Sequence, residues 1–556
     1  MSTVAFCLMN TLLALVVFTG CATGKGAEPG PTSVPAGPVQ PKVNRLVMAT
    51  SAPFAESNLT GALIEPTLWP LRPMYESLIA VDPQTAKLMP QLAAEWQLEP
   101  DGASFRFKLR RGVIFHKDYG EFTAKDLVPP WQERVRDGYA FGLTIHWRAF
   151  VKDIETVSDY EAIYRLNRPD GLFLSIYASE QTDSMQIWSK AHLQAKGPPT
   201  MQTEPLAGTG PYQFKERKEG QFVRFERVAF KHWRITPDFP EFEFRWAKEA
   251  STRLAALLAK EIQIADLPQD LKTQAEKQGF KIVRGRVPGL RTFISFYCCN
   301  LKDINNPSLG YMYPDSPLME VRVRKALSKA INRDELNKAF FGGKAEEMVL
   351  SHFHPTRAGW NPDWEKRYKE EYGYDPDKAK ALLAEAGYGP GNPLRHTILV
   401  SPAAGYSGAE DMAEAIAAKW RAVGITVELL PRDPASITGD RVALRYNNHT
   451  HIQGTGSDLW SGSSNFSSVS LGPRGGGVDL LDADLLMRQI ATTTDIQKQD
   501  ELWRKTGDIL FNQFNMLPLF WLPVEAVVDP IIVAEWLFPG AISGSWTHVP
   551  NVKAAP

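Results

Sequence analysis

The chain has 556 residues, and its 44% hydrophobic and 22% charged residues are typical of a globular protein. This length exceeds the roughly 250–300 residues that one hydrophobic core supports, so two or three lobes are expected. The formal net charge is -1, from 62 basic and 63 acidic residues, which argues against a nucleic-acid-binding protein or one with a polyanionic partner.

The first residues predict an export signal. Residues 4–18 form an apolar run that is shorter than the ~20 residues of a membrane span. Gly20 precedes Cys21 as in bacterial lipoprotein signals, so we expect residues 1–21 to be a signal peptide and Cys21 to be lipidated. An ordinary signal peptide or a misplaced start codon is the alternative, because Phe18 replaces the usual leucine and no Lys or Arg precedes the run.

Residues 22–41 predict a disordered tether. They are mainly Gly, Pro, Ala, Ser and Thr, and such a composition buries too little apolar surface to fold. Folded structure is expected from about residue 42, and Arg45–Ala49 predicts the first strand.

The stretch Tyr75–Leu127 contains three local signals in succession. Apolar residues at approximately helical spacing in Pro90–Trp96 predict a short helix. Pro100–Gly102 predicts a turn in which the glycine adopts a positive φ. Ser104–Leu109 alternates apolar and basic residues, which predicts a strand with one solvated face.

Later segments predict alternating helices and strands. Ala250–Leu267 predicts a helix followed by a short strand, and the apolar positions of Val323–Ile331 share one helical face. Asp375 and Gly387 are typical of the N-terminal cap and the C-terminal end of a helix. Ala409–Leu429 predicts a helix, a glycine stop and a strand, which indicates an α/β fold.

The cysteines predict no disulfide framework. Cys298 and Cys299 are sequence neighbours in a strand-like run, where their side chains would point to opposite faces. We therefore expect two buried, inert thiols.

The sequence contains no Gly-x-Ser-x-Gly, His-Glu-x-x-His or Gly-x-Gly-x-x-Gly motif, so we expect no enzyme. The pairs His352/His354 and His449/His451 have a spacing that places both rings on one side of a strand. Two ligands do not make a metal site, and no third ligand is evident in the sequence, so neither a metal nor a cofactor is expected.

Three motifs resemble those of one family. The stretch Tyr75–Leu127 resembles the signature of extracellular solute-binding proteins of the peptide/nickel type. The motifs that carry this resemblance are YE-x-L, P-x-LA-x-x-W, DG-x-x-F-x-F-x-LR-x-GV-x-F and FTA-x-D. Gly208–Tyr212 (GTGPY) resembles a second marker and Val323–Arg333 (VR-x-ALS-x-AI-x-R) a third. The resemblance extends over residues 45–525.

The resemblance implies a bilobal periplasmic-binding-protein fold of α/β class (type II, with an extra inserted lobe). Lobe I is expected in three pieces, lobe II contacts the ligand, and two crossing segments near Arg286–Phe296 and Asn515–Trp521 form the hinge. The expected boundaries are 42–70, 200–290 and 505–550 for lobe I, 71–199 for the inserted lobe and 291–504 for lobe II.

The resemblance also implies a ligand site directly after the strand-like segment 449–453. In peptide-binding members a Gly-x-x-x-Asp element supplies the carboxylate for the α-ammonium of the ligand, and Gly454 and Asp458 match it. Trp460 is expected to stack on a ligand side chain, and the loop after the first strand contributes Phe54. A turn-capping role for Asp458 is the alternative. The candidate ligand-binding residues are Phe54, Gly454, Thr455, Gly456, Ser457, Asp458 and Trp460.

The implied function is capture of short peptides or related amino-bearing solutes for an ABC importer. The expected partners are the ligand, a membrane permease with ATPase subunits and, through Cys21, the membrane surface; we expect a monomer and no nucleic acid. The expected location is the periplasm or the outer face of the cytoplasmic membrane. The alternatives are a non-peptide solute (a nickel chelate, an opine, a sugar or an antibiotic-like compound), a secreted hydrolase without a recognisable motif, and a structural or chaperone-like lipoprotein.

Overall fold

The structure, a computed structural model, describes residues 40–53, 56–58, 69–85, 87–137, 144–171, 173–176, 178–180, 186–303, 305–401, 408–456, 476–540 and 546–556. The strands are β1 (Arg45–Thr50), β2 (Ile79–Val81), β3 (Leu88–Pro90), β4 (Ala93–Leu98), β5 (Ser104–Leu109), β6 (Val151–Ser158), β7 (Glu161–Leu166), β8 (Tyr212–Lys218), β9 (Phe222–Arg227), β10 (Glu241–Trp246), β11 (Ile264–Ala265), β12 (Lys281–Arg284), β13 (Leu290–Tyr297), β14 (Glu346–Glu347), β15 (Arg395–Val400), β16 (Thr426–Pro431), β17 (His449–Gly456), β18 (Leu517–Leu522), β19 (Glu525–Val528), β20 (Val533–Trp536) and β21 (Val552–Ala554).

The helices are α1 (Val128–Val135), α2 (Thr144–Phe150), α3 (Phe173–Ile176), α4 (Lys190–Lys196), α5 (Ala250–Leu258), α6 (Gln269–Lys277), α7 (Val321–Lys329), α8 (Arg333–Phe341), α9 (Pro362–Tyr372), α10 (Pro376–Glu385), α11 (Ala409–Ala422), α12 (Pro434–Val442), α13 (Leu481–Thr492) and α14 (Ile496–Asn512).

A seven-stranded sheet, here called the large sheet, has the order β12-β19-β11-β1-β10-β9-β8. The central strand β1 pairs in parallel with both β10 and β11. Leu46 and Met48 pack into one core, and Val47 and Ala49 into another, so both faces of β1 are covered. This explains why the predicted first strand is apolar throughout rather than alternating.

A six-stranded sheet, here called the second sheet, has the order β14-β18-β13-β17-β15-β16. Its core contains Val323 and Leu327 of α7 and, directly after the helix, Ala330 and Ile331, each at most 1% exposed. The predicted helix is confirmed, and it ends before the last two of these apolar positions. Asp375 caps α10 by accepting a hydrogen bond from the backbone N–H of Lys378 at 2.9 Å, as predicted.

A four-stranded sheet, here called the inserted sheet, has the order β4-β5-β7-β6 and lies in sequence between β1 and β8. Phe105, Phe107 and Leu109 of β5 are at most 5% exposed, which confirms the predicted strand. The predicted helix over Pro90–Trp96 is wrong, because Ala93–Leu98 forms β4. The turn at Gly102 folds these residues back onto β5, and cross-strand pairs such as Trp96 with Phe107 outweigh a helical spacing that extends over only two turns.

The chain passes between the two larger sheets at two places. It leaves the large sheet after Arg284 and enters the second sheet at Leu290, then leaves the second sheet after Leu522 and re-enters the large sheet at Glu525. Strands β13 and β18, which carry these passages, are antiparallel neighbours. Both passages therefore lie side by side.

Cys298 and Cys299 are joined by a disulfide, so the expectation of two free thiols is wrong. That expectation extended the strand through Cys299 and placed the side chains on opposite faces. In the structure β13 ends at Tyr297 and Cys298 lies in a bend, so the side chains do not alternate there. Both cysteines are buried, as expected.

The disulfide predicts a specific alkylation pattern. In protein exported to an oxidising compartment, Cys298 and Cys299 should resist iodoacetamide after denaturation without reductant and should both react after reduction. Mass spectrometry of the peptide that contains them provides the measurement. The Cys298→Ser variant is the control, because its remaining thiol at Cys299 should react without reduction. Complete alkylation of the unreduced wild type would contradict the disulfide.

Candidate functional site

The predicted ligand segment begins at the edge of the second sheet where both chain passages lie. Strand β17 ends at Gly456, which pairs with Leu290, the first residue of β13. Strand β18 ends at Leu522, which pairs with the same residue from the other side. In open α/β sheets, ligands bind beyond the carboxyl ends of the strands. The carboxyl ends of β17 and β18 therefore mark this edge as the candidate site.

The structure describes part of the predicted residue set. Gly454, Thr455 and Gly456 form the end of β17 and pair with Leu290–Thr292. The other predicted residues lie outside the described residues: Phe54, Ser457, Asp458, Trp460 and the lipidation candidate Cys21.

Gly476, the first described residue after 457–475, packs against the opposite end of β13. A Cβ atom at Gly476 would lie 2.3 Å from Cε1 of Tyr297, so this contact requires glycine. The N–H of Gly477 donates to the carbonyl oxygen of Phe296 at 2.7 Å. Gly456 and Gly476, the described residues on either side of 457–475, thus contact Leu290 and Tyr297, the two ends of β13.

Polar side chains from β13 and β17 share one face of the second sheet, here called the polar face. Because side chains alternate along a strand, the residues that point to this face follow from the register of β13 and β17. The polar residues on this face include Arg291, Ser295, Tyr297, His449, His451 and Gln453. Gln453 Nε2 donates to the Tyr297 hydroxyl at 2.7 Å, and that hydroxyl lies 3.3 Å from Nδ1 of His451.

His451 and Tyr297 are both uncharged at neutral pH. Burial, with a smaller contribution from Arg441, lowers the pKa of His451 to about 4. Burial raises the pKa of Tyr297 to about 12. Nε2 of His451 also lies 2.9 Å from the hydroxyl of Ser401, at the carboxyl end of β15. This part of the site therefore acts through neutral hydrogen bonds and not through a titrating charge.

Arg291 contributes a buried positive charge to the polar face. Its side chain is 1% exposed, and its guanidinium lies 5.4 Å from the ring centroid of Phe293. Burial lowers the pKa of His352 well below its usual range, and the charge of Arg291 lowers it further. Charged side chains are rarely buried so completely, so the burial of Arg291 is an unusual feature of the polar face.

The passage into β13 is bonded to the same region. Arg357 donates from Nη2 to the carbonyl oxygen of Pro288 at 3.1 Å, and its guanidinium lies 5.4 Å from the ring of Trp521. Trp521 pairs with Arg291 across β18 and β13. His354 packs edge-on against Trp521 at 5.3 Å.

The two histidine pairs contact different groups. His449 and His451 share one face of β17, as their spacing predicted, whereas His352 has a φ of +81° and lies outside any strand. His354 bonds Glu346 at 2.9 Å. Within the described part of the chain, no group of three or more His, Cys, Asp or Glu residues could hold a metal ion.

Sequence reasoning missed Arg291, Tyr297 and Gln453. The segment from 281 to 299 was interpreted only as extended and apolar. Arg291 and Ser295 alternate with Thr292 and Ile294, and this pattern was the available signal. Which residues of β17 share the face of Arg291 depended on a pairing between strands more than 150 positions apart in sequence.

The sequence profile described as bacterial extracellular solute-binding proteins, family 5, middle region, matches residues 87–477. The chain belongs to this family. The match includes the inserted sheet, the passage into β13 and the polar face. No helix in the described ranges is both long and apolar enough to cross a lipid bilayer.

Two relatives of this family 5 protein carry different ligand names. The dipeptide-binding protein of Escherichia coli is 28% identical over 384 residues, which are 64% of this chain and 66% of that protein. The chain thus spans slightly less than two thirds of the length of this relative. Heme-binding protein A of Haemophilus influenzae is 25% identical over 489 residues, which are 80% of this chain and 81% of that protein.

A solved structure confirms the fold class. The dipeptide-binding protein of Pseudoalteromonas sp. SM9913, crystallised with Met-Leu, superposes with a TM-score of 0.70 at 22% identity, covering 92% of this chain and 100% of that chain. The predicted α/β fold of the periplasmic solute-binding type is therefore confirmed.

The buried imidazole of His451 predicts a measurable pH dependence. Its pKa of about 4 lies below that of an exposed histidine, near 6.5, so the unfolded chain binds a proton that the folded chain does not. The free energy of unfolding should therefore fall as the pH drops from 6.5 to 4. In His451→Gln the fall should be smaller by about 2–3 kcal/mol. Urea titrations over this pH range provide the measurement.

Ser401→Ala is the control for this comparison, because it removes a hydroxyl partner and keeps the buried imidazole. Its stability curve should follow the pH slope of the wild type. Parallel curves for His451→Gln and the wild type would contradict the burial of a neutral His451.

Proposed function

We propose that this family 5 protein captures short peptides or related amino-bearing solutes outside the cytoplasmic membrane and delivers them to a permease with ATPase subunits. The observation that carries the proposal is the position of Gly454–Gly456. These residues end at the edge where the chain passes between the two larger sheets, which is where a cleft between lobes would hold a ligand.

The lobe boundaries are part of this proposal. The sequence places lobe I at 42–70, 200–290 and 505–550, the inserted lobe at 71–199 and lobe II at 291–504. In this proposal the third piece of lobe I begins at Glu525 instead of 505, because α14 and β18 pack with the second sheet. The separate cores of the large, second and inserted sheets support this division. The passages at 285–289 and 523–524 serve as the hinge, and they are shorter than the crossing segments expected from sequence.

Asp458 holds the ammonium group of the ligand. In sequence it follows Gly456, the last residue of β17, by two positions. A carboxylate in a closing cleft loses hydration, and an ammonium group at hydrogen-bond distance compensates for that loss. Thr455 and Ser457 provide further backbone groups, and Trp460 and Phe54 provide apolar contact surface.

The polar face suits a ligand recognised largely through its main chain. Neutral donors and acceptors of Tyr297, His451 and Gln453 pair with each other and hold β13 and β17 in register. The buried guanidinium of Arg291 lies beside the same edge.

The chain has no catalytic role in this proposal. Capture requires closure of the two lobes around the ligand, and the ligand drives closure only through contacts that it makes in the closed form. A non-peptide solute is the second candidate, because the heme-binding relative matches 80% of the chain.

The chain is exported and held at the outer face of the membrane through Cys21. The lipoprotein-like Gly20–Cys21 sequence and the tether 22–41 support this location. A fully extended tether of that length reaches roughly 65 Å.

A thermal-shift panel tests the ligand class. Dipeptides, tripeptides, heme, nickel–histidine and an opine are each added to the purified protein. A ligand present at 100 times its dissociation constant stabilises the folded form by about 2.7 kcal/mol. Peptides should raise the melting temperature, and a rise with heme alone would replace the peptide proposal with the second candidate.

The ammonium role of Asp458 predicts a selective loss. Asp458→Ala should weaken binding of the tripeptide trialanine by at least tenfold, since a charge-assisted hydrogen bond is removed. Binding of N-acetylated trialanine should remain at the level of the wild type. Calorimetric titration measures both. The control is Asp377→Ala, which removes a carboxylate that is 93% exposed on α10. An equal loss for both peptides would refute the role.

Lipidation at Cys21 predicts membrane partitioning. When the full chain is expressed in a bacterium that processes lipoproteins, it should sediment with membranes, and Cys21→Ser should shift it to the soluble fraction. Cys7→Ser is the control and should stay with membranes. Identical distribution of the Cys21→Ser variant and the wild type would indicate an ordinary signal peptide.

A further inference from the structure

Gly171, between the inserted sheet and α3, contacts the connection between α13 and α14. Its N–H donates to the carbonyl oxygen of Ala491 at 3.1 Å, and its carbonyl oxygen accepts from Nε2 of Gln499 at 3.0 Å. The Gln499 amide also donates to the carbonyl oxygen of Thr493, which fixes its orientation. One residue of the inserted segment thus makes a hydrogen-bonded contact with the helices of the second sheet.

The contact requires glycine for reasons of space. A Cβ atom at Gly171 would lie 1.9 Å from the carbonyl oxygen of Thr493 and 2.1 Å from Nε2 of Gln499. Both distances are far below van der Waals contact, and one of the two obstructing atoms belongs to the backbone. Any other residue at this position would push the two segments apart.

Each side of the contact is anchored in its own core. Two residues after Gly171, the ring of Phe173 is fully buried and stacks on Phe105 of β5 at 4.9 Å between centroids. On the other side, Ala491 is 6% exposed and packs in the same core as Trp503 of α14. Since the two cores are separate, moving one relative to the other must break the contact at Gly171.

The contact lies on the side of the second sheet that borders the candidate site. Asp500, one residue after Gln499, accepts a hydrogen bond from the N–H of Gly359 at 2.6 Å. Arg357, two residues earlier, donates to Pro288 in the passage between the two larger sheets. The N-terminal part of α14 is therefore connected to the same edge from which Gly456 leads into the predicted ligand segment.

We propose that Gly171, Ala491, Thr493 and Gln499 form a latch between the inserted lobe and lobe II that stabilises the closed form. The proposal rests on the two-lobe closure described under the proposed function. It adds that part of the closing free energy comes from protein–protein contacts that are independent of the solute. A latch of this kind lets one protein hold solutes of different sequence, because these hydrogen bonds involve no ligand atom.

Solution scattering from the full chain tests the latch with two variants and two controls. Gly171→Ala introduces the blocked Cβ atom. Gln499→Ala removes the hydrogen bonds that the half-buried amide donates to Gly171 and Thr493. The controls are Gly389→Ala, where a Cβ atom would meet nothing within 4 Å, and Gln497→Ala, at an exposed position on the first turn of α14. Each protein is measured alone and with a saturating mixture of dipeptides and tripeptides, after its thermal unfolding confirms that it is folded.

The wild type and both controls should be more compact than the two latch variants in at least one of the two conditions. The ratio of closed to open molecules should fall by on the order of tenfold in each variant. Identical scattering of wild type, Gly171→Ala and Gln499→Ala in both conditions would overturn the latch.

The same data separate the latch from the peptide proposal. If peptides do not compact the wild type, but the Gln499→Ala variant is more expanded than the wild type, the latch stands and the ligand is not a peptide. If peptides compact the wild type and Gln499→Ala scatters identically to it both with and without peptides, the proposed function stands and the latch is rejected.

Discussion

The antiparallel pairing of β13 with β18 is the constraint on which the rest of the structure depends. Each strand continues into the large sheet within a few residues, so the pairing keeps both passages adjacent. Leu290, at the start of β13, packs against the cores of both larger sheets. Two short parallel connections can bend together but resist shearing, because a shear would break the ladder that pairs them.

This pairing also determines where polar groups can be concentrated. The register that brings Leu290 opposite both Gly456 and Leu522 places Arg291, Ser295 and Tyr297 on one face. Burial keeps His451 and Tyr297 neutral there, so the hydrogen bonds among them persist across the physiological pH range. Arg441 acts on His451 and Tyr297, and Arg291 acts on His352, so the charges around this face come from guanidinium groups and do not depend on titration near neutral pH.

Local sequence patterns correctly predicted the structural features that depend only on neighbouring residues. The cap at Asp375, the positive φ of Gly102 and the helical face around Leu327 are determined within one or two turns of chain, and each is confirmed. The predictions that were wrong or incomplete depended on pairing between strands that are distant in sequence. Residues 93–98 joined a sheet because β5 was available opposite them, and Arg291 became part of a site through a partner strand far away in sequence. The ligand segment itself was predicted only through family resemblance, since a Gly/Ser-rich stretch has no periodicity to interpret.

The position of the inserted sheet gives a reason for its presence. In the proposed closure, two passages that act as a hinge constrain the two larger sheets at one edge only, so the two lobes could separate freely at the side far from the hinge. A third body that is anchored to the large sheet and touches α13 and α14 at Gly171 connects them at a second point. Because a ligand shifts the equilibrium only by its differential contacts, a solute-independent contribution from this second point lowers the affinity difference that each solute must supply. The free energy that the latch contributes to closure must remain small, since a latch that is stable without solute would keep the cleft closed and prevent the solute from entering. The two hydrogen bonds and the close backbone contact at Gly171 meet this requirement, because each hydrogen bond contributes a net stabilisation of only about 1 kcal/mol.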